Sequence, residues 1–279
     1  MILYLKLLFP APFLAIILLF PFLSMSFDFS TFTELLSKIV AMLTPLWFPA
    51  SHWIMTGLLV GFAIAHSGLA ALRPWGESKL GARAYRVLFA LVSIPFATTL
   101  LLYFFNHRYE GVQLWQLQGV SWMQPTVWVL SFISFIFLYP ATFNLLEIAA
   151  VQKPEIHLYE TGIMRISRHP QMVGQVIWCV AHTLWLGTSF TLVTSIGLVL
   201  HHCFAVWHGD RRWERKHGEA FLVVKERTSV IPFLAVIRGQ QSLKPHEFLR
   251  PAYVGVTAFV LGLWWAHPTL MRLTAQVNF

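Results

Sequence analysis

The chain has 279 residues, is 57% hydrophobic and only 11% charged, with a mean hydropathy of +0.63. Soluble domains carry about 25% charged residues, so a water-soluble globular class is excluded and an integral membrane protein is indicated. The net charge of +8 does not imply nucleic acid, because in a membrane chain Lys and Arg collect on the cytoplasmic side and set the topology.

Taken in order, residues 5–24 are long enough to span a bilayer, although Pro10, Pro12 and Pro21 disturb the helix. No small-residue cleavage site follows, so an uncleaved first helix is expected. Residues 31–48 carry Glu34 and Lys38 on an otherwise apolar segment and read as an interfacial amphipathic helix. Residues 1–48 thus form an N-terminal membrane helix with an interfacial segment, and 49–279 the main membrane domain. Residues 51–72 predict a span with Gly57, Gly61 and Ala65 on one small-residue face and His66 beside it. A loop with Arg73, Lys79, Arg83 and Arg86 follows, then a span over 85–105, a Trp- and Gln-rich loop over 106–124 and a span over 126–146.

The loop 147–170 ends in Arg165, Arg168, His169 and Pro170. Two apolar runs follow, 172–186 with Gln175, Cys179 and His182, and 190–206 with His201, His202 and Cys203, joined by a tight turn at Gly187-Thr188-Ser189. A basic loop from His208 to Arg250 leads to a last span, 252–271, with Trp264 and Trp265 near its end. With the N-terminus inside, all but Lys38, Arg108 and Arg272 of the 20 basic residues fall on one side, which supports an all-α bundle of about seven transmembrane helices. Both cysteines lie in predicted spans, so buried thiols rather than a disulfide are expected.

Ionisable groups inside apolar spans are costly and therefore functional candidates. His66, His182 and His201 are such groups, whereas His52, His107, His208 and the other loop histidines read as solvated. Gln171, Gln175, Cys179 and His182 recur along one helical face, and Thr194, Gly197, His201 and His208 along another, with Gly197 leaving room between the two helices. A lone Zn or Fe needs three or four donors, and carboxylates are scarce in these spans. A haem needs two axial donors, a large apolar cavity and cations for its propionates. Arg73, Arg165, Arg168, Arg211 and Arg212 gather at the cytoplasmic mouth, with Arg168 and Arg211 as leading propionate anchors. Cys179, one turn before His182, is an alternative ligand, against the plainer reading of a packed thiol.

The motifs F-A-I-A-H-S-G-L-A, T-G-I-M-R-I-S-R-H-P-Q-M-V-G-Q, W-C-V-A-H-T-L-W, G-D-R-R, G-E-A-F and R-T-S-V-I-P-F keep an order that resembles the 15-cis-ζ-carotene isomerase family, a branch of the NnrU-like membrane haem protein family. The likeness covers residues from about 52 to 241, and residues 1–45 resemble nothing identifiable. It implies a haem b (iron) enzyme in residues 49–279. That enzyme turns the central 15-15′ double bond of 9,15,9′-tri-cis-ζ-carotene from cis to trans, giving 9,9′-di-cis-ζ-carotene. It also implies axial ligands at His66 and His182 and places the family's other motif histidines on His169 and His201, which together with Gln175 of the polar face are candidates to meet the substrate or surround the ligands. The implied partners are the lipid bilayer, ζ-carotene, an electron donor for the iron and neighbouring carotenoid desaturases. The implied location is the thylakoid or plasma membrane of a photosynthetic organism.

Two other readings use the same residues. Arg168-His169-Pro170, Glu214, Gly218, Phe221 and Pro232 resemble, more distantly, isoprenylcysteine-type membrane methyltransferases that bind S-adenosylmethionine. A non-catalytic haem electron carrier or sensor would need only the ligands.

Overall fold

The computed structural model describes residues 48–142, 160–249 and 251–274. The expected first span, the interfacial segment up to residue 47, and residues 147–159 of the loop 147–170 lie outside the described residues. The described chain is helical: α1 Ala50–Leu80, α2 Ala82–His107, α3 Met123–Thr142, α4 Ile163–Ile166, α5 Pro170–Leu186, α6 Ser189–His217, α7 Glu219–Arg227, α8 Leu234–Ile237 and α9 Pro251–Thr274. Four stretches, namely α1, α2, α6 and Tyr253–Leu273 within α9, are long and apolar enough to cross a membrane. Met123–Leu138 is a shorter apolar helix. Exposed Ile64, Leu91, Ile94, Trp264 and Trp265 lie on these helices, the apolar surface that a hydrocarbon phase covers.

The expectation of about seven spans is thus met only in kind. α5 has 17 residues, roughly 25 Å at 1.5 Å rise, short of the ~30 Å hydrocarbon layer. Pro170 at its first turn and Gly187 just past its end fix that length. It is covered instead by protein, packing along α3 on one side and α6 on the other. At Gly174 a Cβ would fall 2.7 Å from the Ser134 carbonyl, whose own hydroxyl donates to the Gly174 carbonyl at 2.8 Å. Contact this close needs a residue without a side chain.

Several boundaries moved. Arg73, Glu77 and Lys79 are on the last two turns of α1 rather than in a loop, because Pro74 is carried inside the helix, which ends at Gly81 with φ 80. α6 continues through His208 and the G-D-R-R motif as far as His217, since Gly209 alone does not break a helix, and stops at Gly218 with φ 50. A Cβ at Gly57 would meet nothing, and of the two glycines on the small-residue face only Gly61 approaches another helix, where a Cβ would fall 3.3 Å from the Phe96 ring. Gly197 does not open space for a ligand: a Cβ there would meet the Leu59 side chain at 2.6 Å, so the glycine lets α1 and α6 nest.

The loop 106–124 closes one end of the bundle by binding the α5–α6 turn. The Leu114 amide donates to the Gly187 carbonyl at 2.7 Å and the Trp115 indole to the Leu184 carbonyl at 3.1 Å. His52 is fully buried here, not solvated, with Nε2 2.9 Å from Ser189 Oγ, which also accepts from the Val112 amide at 2.9 Å. This contact joins the start of α1 to the start of α6, so the two helices run in the same direction. Phe190, Met55, Leu59, Leu100, Phe104 and Leu186 form the apolar core beneath.

Candidate functional site

Between α1, α2, α3, α5 and α6 lies an apolar cavity of about 390 Å³, within the range of small-molecule sites. Its walls are Leu59, Phe62, Leu100, Phe104, Phe135 and Trp178 with neighbouring aliphatic groups, and its few polar groups include His66, His201, His202, Gln175 and Thr194. His66 and His201 face each other with ring centroids 6.1 Å apart, and Phe62 stacks on His66 at 5.0 Å. His66 Nδ1 is 3.2 Å from Ser93 Oγ, which leaves Nε2 as the nitrogen open to a ligand. The Nδ1 of His201 is buried with no hydrogen-bond partner. An orphaned buried nitrogen costs about 1–3 kcal/mol, a cost that a bound ligand would relieve.

His182 is not on the cavity wall. Its ring stacks on the Trp178 indole at 3.8 Å, and its Nδ1–H donates to the Trp178 carbonyl at 2.9 Å. That bond fixes the tautomer and leaves the lone pair on Nε2, the arrangement in which a ligating histidine is held by its outer nitrogen. The structure therefore brings His66 to His201, with His182 one indole away. Gln175 lines the cavity and its amide lies 3.4 Å from Cys179 Sγ. Cys179 is buried, as expected, but Cys203 is exposed, because its face of α6 points away from the bundle.

A bis-histidine haem can be tested against these groups. His66 and His201 on the cavity wall, His182 behind the Trp178 ring and the orphaned nitrogen of His201 fit, in donor type, the two axial histidines that a haem needs. No cluster of three His, Cys, Asp or Glu able to hold a bare metal ion occurs among the described residues.

The arginines divide into two groups. Arg168 grips Asp210 at 2.7 and 3.1 Å and donates to the Thr228 carbonyl at 3.1 Å, while His169 Nε2 is 2.6 Å from the other Asp210 oxygen. Arg165 binds both Glu247 oxygens, at 2.7 and 2.9 Å, and Gln241 at 2.6 Å. Arg211 lies over the Trp207 ring at 4.3 Å. Arg212 is half-buried and Arg73 leans over Phe89 at 5.7 Å. The R-T-S-V-I-P-F segment docks on the R-I-S-R-H-P segment through Arg168 N to Ser229 O and Phe233 N to Ile166 O, both 2.9 Å. Trp178, Phe62, His202 and Asp210 were missed as site residues. Only the His201-His202 doublet and the G-D-R-R motif hinted at two of them.

The Glu247 pair gives a pH prediction. Hydrogen bonds from Arg165 and then from the Gly162 amide hold its carboxyl at about 2, against an ordinary 4.5. A depressed carboxyl contributes stability that is complete above 4.5 and is lost as pH falls through about 2. Glu247→Gln is therefore expected to lower the melting temperature in detergent at pH 6, with the difference from wild type closing between pH 4.5 and 2. A difference constant with pH would show that the charge is not what matters.

The NnrU protein family model matches residues 54–275. The chain belongs to the NnrU family. It is 55% identical over 227 residues to 15-cis-zeta-carotene isomerase, chloroplastic, of Zea mays, covering 80% of this chain and 62% of the relative. It is equally 55% identical over 228 residues to the Arabidopsis thaliana protein of the same name, covering 81% and 62%. This NnrU-family chain therefore spans under two thirds of the length of the relatives it matches. No solved structure matches it.

Proposed function

We propose that this NnrU-family protein is a membrane cis-trans isomerase acting on the 15-15′ double bond of 9,15,9′-tri-cis-ζ-carotene, with haem b as its prosthetic group. The observation that carries the reading is the apolar cavity into which His66 and His201 project, in a chain 55% identical to two proteins named for that activity. A polyene hydrocarbon has no proton of useful acidity, so side-chain acid–base catalysis has nothing to act on. The haem, held by His66 and His182, would supply a redox centre able to lower the order of a double bond.

The chain's own residues do the rest. Phe62, Phe104, Phe135 and Trp178 offer aromatic faces to a polyene and exclude water from it. Ser93 and the Trp178 carbonyl orient the two imidazoles, and such supporting contacts are typically worth 10–100-fold in affinity for the metal centre. Ser93→Ala is accordingly expected to weaken haem retention by about that factor.

The residues of the methyltransferase likeness, Arg168-His169-Pro170 with Glu214, Gly218, Phe221 and Pro232, are not among those that line this cavity. The isomerase and carrier readings separate in one experiment. Protein purified from haem-sufficient cells is expected to show a stoichiometric non-covalent haem b spectrum and, once reduced, to convert the tri-cis substrate to 9,9′-di-cis-ζ-carotene. A haem protein without conversion would be a carrier. A colourless protein that converts the substrate would end the haem proposal.

A further inference from the structure

The cavity reaches the outer surface of the bundle along α2. Its wall residues Leu59, Leu100 and Phe104 are 9% exposed or less, so lining the cavity by itself exposes a side chain only slightly. Leu101 lines the same cavity yet is 47% exposed, and Ala97, one turn earlier, is exposed as well. The rest of their surface faces outwards. Both stand inside the apolar span α2, where the surroundings are hydrocarbon rather than water.

Helix packing gives the reason. Around the cavity α1 packs on α2 and on α6, α6 packs on α5, and α5 on α3. α2 and α3 both contribute to the wall but do not pack along each other. Among the described residues it is α9 that lies against both of them. Phe135 of α3 is a wall residue, and its ring meets Phe259 of α9 edge-on at 5.4 Å. Phe259 is itself exposed, so this pair borders the opening on the α3 side. Pro95, two residues before Ala97, lacks the amide that would bond the Leu91 carbonyl, and helices bend at such a turn.

We propose that the gap between α2 and α3, bordered by Ala97, Leu101, Phe135 and Phe259, is a lateral mouth through which a polyene hydrocarbon passes between the bilayer and the cavity. The choice of occupant rests on the isomerase reading above. A hydrocarbon substrate is driven out of water, so it reaches the protein from the lipid phase, and a mouth at that depth meets it there. Drug-sized ligands occupy roughly 300–1,000 Å³, and about 390 Å³ is too little for a whole tetraterpene. With the central double bond inside the cavity, an arm of the polyene lies in the mouth, and the turn at Pro95 gives α2 a point at which to yield.

The test uses the full chain in vesicles that hold a diphenylhexatriene bearing a photoactivatable diazirine, with labelled residues located by mass spectrometry. In wild type, buried Leu59 and Phe104 are expected to take label alongside lipid-facing Leu91. Ala97→Trp and Leu101→Trp fill the mouth and are expected to remove label from Leu59 and Phe104 while Leu91 keeps it. Misfolding would raise the deep label rather than lower it. Ile64→Trp, the same bulk on an exposed face of α1 away from the cavity wall, is expected to change nothing. Excess 9,15,9′-tri-cis-ζ-carotene is expected to displace the deep label, and the two mouth variants to lower kcat/KM with the haem spectrum intact. Deep label that is absent in wild type, unaffected by both mouth variants, or lost equally in Ile64→Trp overturns the mouth. Deep label lost in the mouth variants but not displaced by carotene makes a lipid acyl chain the occupant and overturns the polyene. Displacement by carotene in a wild type without isomerase activity sustains the mouth and removes the isomerase reading instead.

Discussion

On the haem isomerase function proposed above, replacing His66 with alanine is expected to abolish the low-spin haem spectrum and the isomerase activity together, while the helical bundle still inserts and purifies. His66 combines three features: a place on the cavity wall, an outer nitrogen held by Ser93 and a free Nε2. His182→Ala is expected to have the same effect, because the Trp178 carbonyl fixes its tautomer with the lone pair on Nε2. His201→Ala is expected to keep the low-spin spectrum and to lose activity only in part. Its buried Nδ1 has no supporting acceptor, so nothing holds that ring as a ligand is held. The 6.1 Å approach of His201 to His66 defines the rival pairing. An intact spectrum in His182→Ala together with its loss in His201→Ala would move the second ligand to His201. Absorption and electron paramagnetic resonance spectra of the three purified variants decide between them.

Replacing Gly187 with alanine is expected to be strongly destabilising at the far end of the bundle. Gly187 adopts φ 64, ψ 20, and a Cβ there would collide with the Trp115 carbonyl, a backbone atom that cannot swing away. An L-residue in this conformation costs roughly 1–2 kcal/mol, and overpacking against fixed neighbours adds about 1–3 kcal/mol. Gly239, at φ 71 with open space around it, supplies the comparison. Gly239→Ala is expected to pay only the conformational part. Unfolding in detergent, followed by tryptophan fluorescence near Trp115, measures both. Equal effects would show that the Trp115 contact does not constrain the turn.

What the sequence determined by itself follows from short-range rules. Composition pointed to a membrane protein, and the uneven distribution of Lys and Arg argued for several helices in it. Pro170 and Gly187 fixed the ends of α5, since one residue lacks the amide a helix interior needs and the other tolerates a left-handed turn. His66, His182 and His201 stood out because an imidazole inside an apolar span is costly without a partner. Motif order was enough to indicate the NnrU family.

Only the tertiary structure decided what these groups meet. Helical periodicity gives a face but not the helix opposite, so Gly197 read as room for a ligand when it is filled by Leu59. It also placed His182 on a polar stripe without revealing the Trp178 ring stacked on it. Arg168 looked free from its loop position, yet its partner Asp210 lies 42 residues away on a helix that outran its expected end. Distances across the bundle arise from packing between helices remote in the chain, and these determine which arginines are paired.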